Sequence, residues 1–250
     1  MHTEDTPGPA RVAIVTGGSR GIGRAVALRL ARDGYAVLVA YSANRADAEK
    51  VVGAIEEAGG RAVAAGGSLE EPEVARGLFD VADVAFGGVD LVVHAAGQMR
   101  LAPVAELDLD DLDRILAVNV RATFALAQQG VGRLRDGGSI VLFSTSVVGL
   151  AFPTYGAYAA SKGAVEALTP ILAKELRGRG VTVNTVAPGP TATDLSLDGK
   201  TDEQVEQLAK QPPLERLGTP EDIADVVAFL GGSAGHWVNG QVLRANGGII

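Results

Sequence analysis

Val12-Ala13-Ile14-Val15-Thr16-Gly17-Gly18-Ser19-Arg20-Gly21-Ile22-Gly23-Arg24-Ala25-Val26-Ala27-Leu28-Arg29-Leu30-Ala31 is the stretch that decides the fold. Its first residues form a β-branched apolar run of strand length, and from Ile22 onward the apolar positions recur at helical spacing. A strand, a glycine-rich turn and a helix in that order set backbone N–H groups and a helix N-terminus around a pyrophosphate. The glycines are needed because a side chain would block the phosphate or the close packing of helix on sheet. Gly17, Ser19, Arg20, Gly21, Ile22 and Gly23 are therefore candidate nucleotide contacts.

The same alternation of short apolar runs and longer helical segments continues in both directions, the pattern of βαβ units and a parallel sheet. Strands are expected at Val12–Thr16, Ala36–Tyr41, Arg61–Ala65, Asp90–Ala95, Ser139–Ser144, Val181–Ala187 and Gln241–Ala245. Helices are expected at Ile22–Asp33, Ala46–Ala58, Pro72–Ala85, Leu109–Leu134, Tyr155–Arg179 and Pro220–Leu230. No linker rich in Pro, Gly or Ser divides the chain. The reading is α/β: a single doubly wound Rossmann-type domain over residues 1–250, with a seven-stranded parallel sheet flanked by helices on both faces. One excursion, 188–213, opens with Pro188-Gly189-Pro190 and carries a short helix at Thr201–Lys210. Lying just beyond the carboxyl end of a strand, it reads as a substrate lid.

The second strand selects the nucleotide. An NAD site usually ends that strand in Asp or Glu, which accepts from the ribose 2′-OH. Here it runs Val39-Ala40-Tyr41-Ser42-Ala43-Asn44-Arg45, without a carboxylate, and Arg20 sits in the glycine loop. Guanidinium groups suit a 2′-phosphate, so Arg45 and Arg20 point to NADP(H), with Tyr41, Ser42 and Asn44 as further candidate cofactor contacts.

Composition narrows the function classes. The 250 residues are 47% hydrophobic and 21% charged, as in an ordinary globular protein. A net charge of −8 argues against a nucleic-acid or anionic-membrane surface. The chain has no cysteine, which removes disulfides, thiolate nucleophiles and zinc–thiolate sites, and its three histidines are far apart, so no metal site is expected. Met1–Pro9 is acidic without an apolar core and reads as a lead-in rather than a secretory signal. No window has the length of a membrane span, and a cytoplasmic protein is expected.

Chemistry concentrates in the second half. Tyr158 and Lys162, in Tyr158-Ala159-Ala160-Ser161-Lys162, stand at i and i+4 on one helix face. A lysine cation near the phenol, joined by the positive ring of an oxidised nicotinamide, is expected to lower the phenol's ordinary pKa of about 10. Tyr155 is a second tyrosine without such a partner. Ser146, in Ser144-Thr145-Ser146-Val147-Val148-Gly149, can bring a hydroxyl to an oxygen shared with Tyr158, with Ser144 and Thr145 as rivals. Asn119 is an amide amid apolar residues in mid-helix.

Together these residues resemble a compact short-chain dehydrogenase/reductase over essentially the whole chain. The likeness rests on the Thr16–Gly23 loop, Ala95-Ala96-Gly97, Asn119, Ser146, the Tyr158/Lys162 pair, Pro188-Gly189-Pro190-Thr191-Ala192-Thr193, Gly218–Ala224 and Gly240–Gly248. The branch most resembled holds 3-oxoacyl-thioester reductases and NADPH-dependent ketoreductases. The resemblance implies Tyr158 as general acid in reduction, Ser146 as hydrogen-bond donor to the carbonyl oxygen, Lys162 on the nicotinamide ribose and Asn119 holding a water of a proton relay. It also implies that Ser68, Leu69, Ala95, Ala96, Gly97, Pro188, Gly189, Thr191 and Thr193 contact the cofactor, with Tyr158 and Lys162. His94 stands where the family commonly has Asn, and Ser68 where it often has Asp.

The function expected is NADPH-dependent reduction of a ketone or aldehyde. The alternatives are an alcohol or polyol dehydrogenase working in oxidation and a non-catalytic NADP(H)-binding sensor. A small-molecule pocket is expected from Gln98, Met99, Leu150, Phe152, Tyr155, Leu195 and other parts of Leu195–Leu208, suited to a compact hydrophobic or aromatic ketone. The helices Leu109–Leu134 and Tyr155–Arg179 are apolar on more than one face. With the family's helix pairing, this implies a homo-oligomer, tetramer or dimer.

Overall fold

All five residues of β1 (Val12–Thr16) are buried, as they must be in a parallel strand covered on both faces. In the computed structural model, which describes residues 10–250, six further strands lie beside it. They are β2 (Ala36–Tyr41), β3 (Arg61–Gly66), β4 (Val89–His94), β5 (Leu134–Phe143), β6 (Thr182–Pro188) and β7 (Val242–Ala245). The lead-in expected at Met1–Pro9 lies outside the described residues. The sheet order is β3-β2-β1-β4-β5-β6-β7 and every pairing is parallel. The chain winds one way from β1 to β3 and the other way from β4 onward, so the carboxyl ends of β1 and β4 flank a crevice, where such sheets bind ligands.

The helices are α1 (Gly21–Arg32), α2 (Arg45–Glu57), α3 (Pro72–Phe86), α4 (Leu109–Leu116), α5 (Ala122–Arg133), α6 (Val147–Leu150), α7 (Gly156–Glu175), α8 (Asp194–Leu197), α9 (Asp202–Ala209) and α10 (Pro220–Gly231). Successive strand side chains point to opposite faces, which builds two cores. Ala13, Val15, Val37, Val39, Leu91 and Val141 pack with α1, α2 and α10. Val12, Ile14, Leu38, Val92, Ile140 and Val183 pack with α3, α5 and α7. Asp90 ties the lower edge together: its carboxylate accepts from the Val12 N–H at 2.7 Å and from Arg135 at 3.0 Å, joining β1, β4 and β5.

Three departures from the sequence reading bear on the site. The helix expected over Leu109–Leu134 is broken by a π-turn, Ala117–Arg121, and Asn119 lies inside it. Such bulges cluster at functional sites because the widened turn re-aims side chains. β5 starts at Leu134 rather than Ser139, its ladder with β4 slipping between Val89 and Leu91. The excursion after β6 holds α8 as well as the expected α9. Thr201 caps α9 through a reciprocal box with Gln204, and Thr219 caps α10 in the same way with Asp222.

Candidate active site and cofactor cleft

The turn from β1 into α1 is shaped by what it cannot hold. Gly17 has φ +65°, where a side chain is strained, and a Cβ there would meet the Ala96 backbone N at 3.0 Å. A Cβ on Gly23 would fall 2.1 Å from the Gly17 carbonyl oxygen, so helix and loop touch backbone to backbone. The first turn of α1 has neither a side-chain cap nor an acidic residue. Its free N–H groups open into a cleft lined by Gly17, Ser19, Arg20, Gly21, Ile22, Gly23, Tyr41, Ser42, Ser68, Leu69, Ala95, Ala96, Gly97 and Thr193. An uncapped helix end with closely approached glycine backbone fits a pyrophosphate, and the apolar Leu69, Leu78 and Val118 fit a ring stacked further along.

Two residues expected at the 2′-phosphate are not in this cleft. Arg45 is exposed and paired with Glu49 at 2.7 Å, one turn along α2. Asn44 caps α2, accepting from the Asp47 N–H at 3.2 Å. Asn44 is used at the N-terminus of α2, as an Asn-initiated helix requires, while Arg45 pairs on the open surface. Arg20 remains as the guanidinium lining the cleft.

A second pocket opens alongside. It shares Ile22, Ala95, Gly97, Thr193 and Leu195 with the cofactor cleft, so the two join at one end. Met99, Leu150, Phe152, Tyr155 and Leu195 line it as expected, and Pro188, Gly189 and Thr191 border it. Gln98 does not; it lines the cofactor cleft. Its backbone is clamped there by Asn119, whose Oδ1 accepts from the Gln98 N–H at 2.9 Å and whose Nδ2 donates to the Gln98 oxygen at 2.9 Å. Nδ2 also donates to Ser161 Oγ at 3.0 Å, and the Asn119 carbonyl accepts from Thr123 at 2.7 Å. The Asn119 amide is thus engaged with protein partners on both its oxygen and its nitrogen.

Tyr158 and Lys162 both face this pocket from α7. Lys162 donates to the Phe143 carbonyl at 3.0 Å, and burial lowers its pKa to about 8. A Cβ on Gly97 would lie 3.3 Å from both Lys162 Nζ and Asn119 Oδ1, so only glycine leaves these two side chains side by side. Burial pushes the Tyr158 phenol up to about 12, against the lowering effect of a hydrogen bond from Thr145. Burial is the largest influence on the phenol in this arrangement, and Lys162 directs one of its three donors to the Phe143 carbonyl.

The three hydroxyls after β5 separate clearly. All three line the pocket; Ser144 donates to Glu166 at 2.6 Å. Ser146 lines the pocket, but its Oγ donates to the Ala187 carbonyl at 3.2 Å and accepts from Asn246 Nδ2 at 3.0 Å. Thr145 also lines the pocket, its Oγ1 accepting from the Val147 N–H at 3.3 Å, and its hydroxyl acts to lower the Tyr158 pKa. His94, at the end of β4, bonds Thr16 Oγ1 through Nδ1 at 2.8 Å, and Thr16 in turn accepts from the Ala96 N–H at 3.3 Å. Burial drives the His94 pKa down to about 3, so the ring is neutral. From the stretch Leu195–Leu208, expected to contribute in part, the excursion after β6 brings Ser196, Lys200 and Leu208 to the pocket beside Leu195.

Comparison with known proteins agrees with this geometry. A family model described as "Enoyl-(Acyl carrier protein) reductase" matches residues 17–250. A "Short-chain type dehydrogenase/reductase" of Picea abies is 44% identical over 96% of this chain and 92% of its own. An Arabidopsis thaliana protein named "NADPH-dependent aldehyde reductase-like protein, chloroplastic" is 41% identical over 98% of this chain and 96% of its own. A short chain dehydrogenase from Burkholderia cenocepacia, solved in complex with NADP, superposes with TM-score 0.90 at 38% identity, covering 96% of this chain and 97% of that one. The chain belongs to the short-chain dehydrogenase/reductase family and is an oxidoreductase.

Proposed function

We propose that the protein reduces an aldehyde or ketone to the alcohol with NADPH, with Tyr158 as the proton donor. The observation that carries this reading is a buried phenol in a largely apolar pocket that joins the cofactor cleft at Ile22, Ala95, Gly97, Thr193 and Leu195. The NADPH-named relative and the NADP-bound neighbour support the choice of cofactor. Bound in the cleft, the reduced nicotinamide supplies a hydride.

The chain's residues supply the rest. A phenol held near pKa 12 keeps its proton at neutral pH and presents it to a carbonyl oxygen that gains charge. Thr145 donates beside it, taking the role expected of Ser146, whose hydroxyl is already bonded on two sides. Lys162 would hold the ribose hydroxyls and Arg20 the 2′-phosphate. Asn119 and the neutral His94 position the loop of Ala95–Gln98 against the cofactor. The excursion carrying α8 and α9 serves as lid.

A homo-oligomer in the cytoplasm belongs to the same proposal. Leu109, Leu116, Phe124 and Ile171 are exposed on α4, α5 and α7, which supports helix pairing between copies. The test of the reaction is NADPH oxidation over a panel of aldehydes, aryl ketones and β-ketoesters, with Tyr158→Phe alongside. Turnover by the parent that falls at least about 100-fold in the variant is expected, the usual scale of a positioned acid. Near-full activity of Tyr158→Phe removes the assignment.

A further inference from the structure

The substrate pocket holds one unassigned charge. Of its ionisable lining, Tyr155, Tyr158, Lys162 and Lys200, the Lys162 ammonium is bonded to Phe143 beside the cofactor cleft. Lys200 comes from the lid. It is partly buried and donates to the Ser196 carbonyl at 2.7 Å, four residues back. Ser196, Leu195 and Leu208 line the pocket around it. No Asp or Glu lines this pocket, and among the described residues Lys200 makes no ion pair. Lys50 and Lys210, by contrast, are paired on the surface with Asp47 and Glu206.

An ammonium has three donors and desolvates at a cost unless an anion meets it. One donor of Lys200 is used. The other two make no hydrogen bond among the described residues, and the pocket that Lys200 lines, with Ile22, Met99, Leu150, Phe152 and the hydroxyls of Thr145 and Ser146, carries no carboxylate. We propose that Lys200 recognises an anionic oxygen on the substrate, and that the preferred substrates are aldehydes or ketones bearing a carboxylate beyond an apolar or aromatic spacer. The proposal rests on the reductase reading. It adds that the lid supplies charge selection while Tyr158 and Thr145 act on the carbonyl. Because the anion is held away from the reacting carbon, its effect falls on substrate capture more than on the chemical step.

The test compares 4-carboxybenzaldehyde with its neutral isostere methyl 4-formylbenzoate, in the parent, Lys200→Met, Lys200→Arg and Lys200→Glu. A charge-assisted hydrogen bond predicts a parent acid-to-ester ratio in kcat/KM of about 10 to 100, expressed chiefly in KM. The ratio is expected to persist in Lys200→Arg, approach one in Lys200→Met and fall below one in Lys200→Glu. Using a ratio cancels any general loss from a disturbed lid. Equal ratios in all four proteins, or a parent that favours the ester, overturn the proposal. Calorimetric binding of 4-(hydroxymethyl)benzoate and its methyl ester in the presence of NADP⁺ gives a readout without turnover. If the parent turns over neither aldehyde yet binds the acid selectively through Lys200, the reductase reading fails and the anion site stands. Absence of acid-selective binding overturns the site.

Discussion

Replacing Asn119 with Ala removes the clamp on the strand-end loop, and its cost follows from the bonds lost. Asn119 is 1% exposed and makes three side-chain hydrogen bonds, two of them to both backbone groups of Gln98. Each backbone group left without a partner costs about 1–3 kcal/mol, and a buried hydroxyl bond adds roughly 1 kcal/mol. Because the Gln98 side chain reaches solvent, water recovers part of this, and the expected loss is about 2–3 kcal/mol. For a chain of this size, that corresponds to a Tm lower by roughly 4–10 °C. The same loop carries Ala95, Ala96 and Gly97 along the cofactor cleft. Slack there of about 1 Å costs on the order of 100-fold in kcat/KM. Urea denaturation of parent and variant gives the stability term, and steady-state NADPH oxidation gives the catalytic one. A variant with stability within about 0.5 kcal/mol of the parent, the range of surface substitutions, refutes the clamp.

Other residues make equally definite claims. Gly23→Ala sets a methyl 2.1 Å from a backbone oxygen that has no free end to move. A strain of about 1–3 kcal/mol is expected to weaken NADPH binding roughly tenfold or more in a fluorescence titration, and an unchanged Kd contradicts the packing argument. Arg20→Ala should erode the NADPH-over-NADH ratio while Arg45→Ala leaves it alone, since Arg45 is spent on Glu49; equal effects refute the division. His94 is held neutral with a pKa near 3, whereas unfolded histidine titrates near 6.5, so between these values the unfolded chain binds more protons and stability falls with acid. From pH 7 to pH 5 this group alone removes about 2 kcal/mol, a loss that His94→Asn should lack in paired urea titrations at the two values.

The sequence by itself determined the strand–turn–helix opening, the parallel sheet and the Tyr158/Lys162 pair, because each is set by local spacing. Period-2 burial, period-3.6 burial and an i,i+4 pair on one helix need no knowledge of distant residues. Even the caps at Thr201 and Thr219 are local. Tertiary structure decided whatever depends on which group meets which across the fold. Arg45 looked like a phosphate ligand until α2 gave it Glu49, and Gln98 looked like pocket lining until Asn119 took its backbone. Three adjacent hydroxyls, indistinguishable in sequence, are divided by their partners: Glu166 takes Ser144, Ala187 with Asn246 takes Ser146, and Thr145 accepts from the nearby Val147 N–H. The π-turn that aims Asn119 lies within an otherwise continuous helical pattern, so no break in periodicity announces it. Lys200 reaches the pocket only because the excursion after β6 folds back over it, and burial, a property of the whole fold, sets the proton affinities of Tyr158, Lys162 and His94.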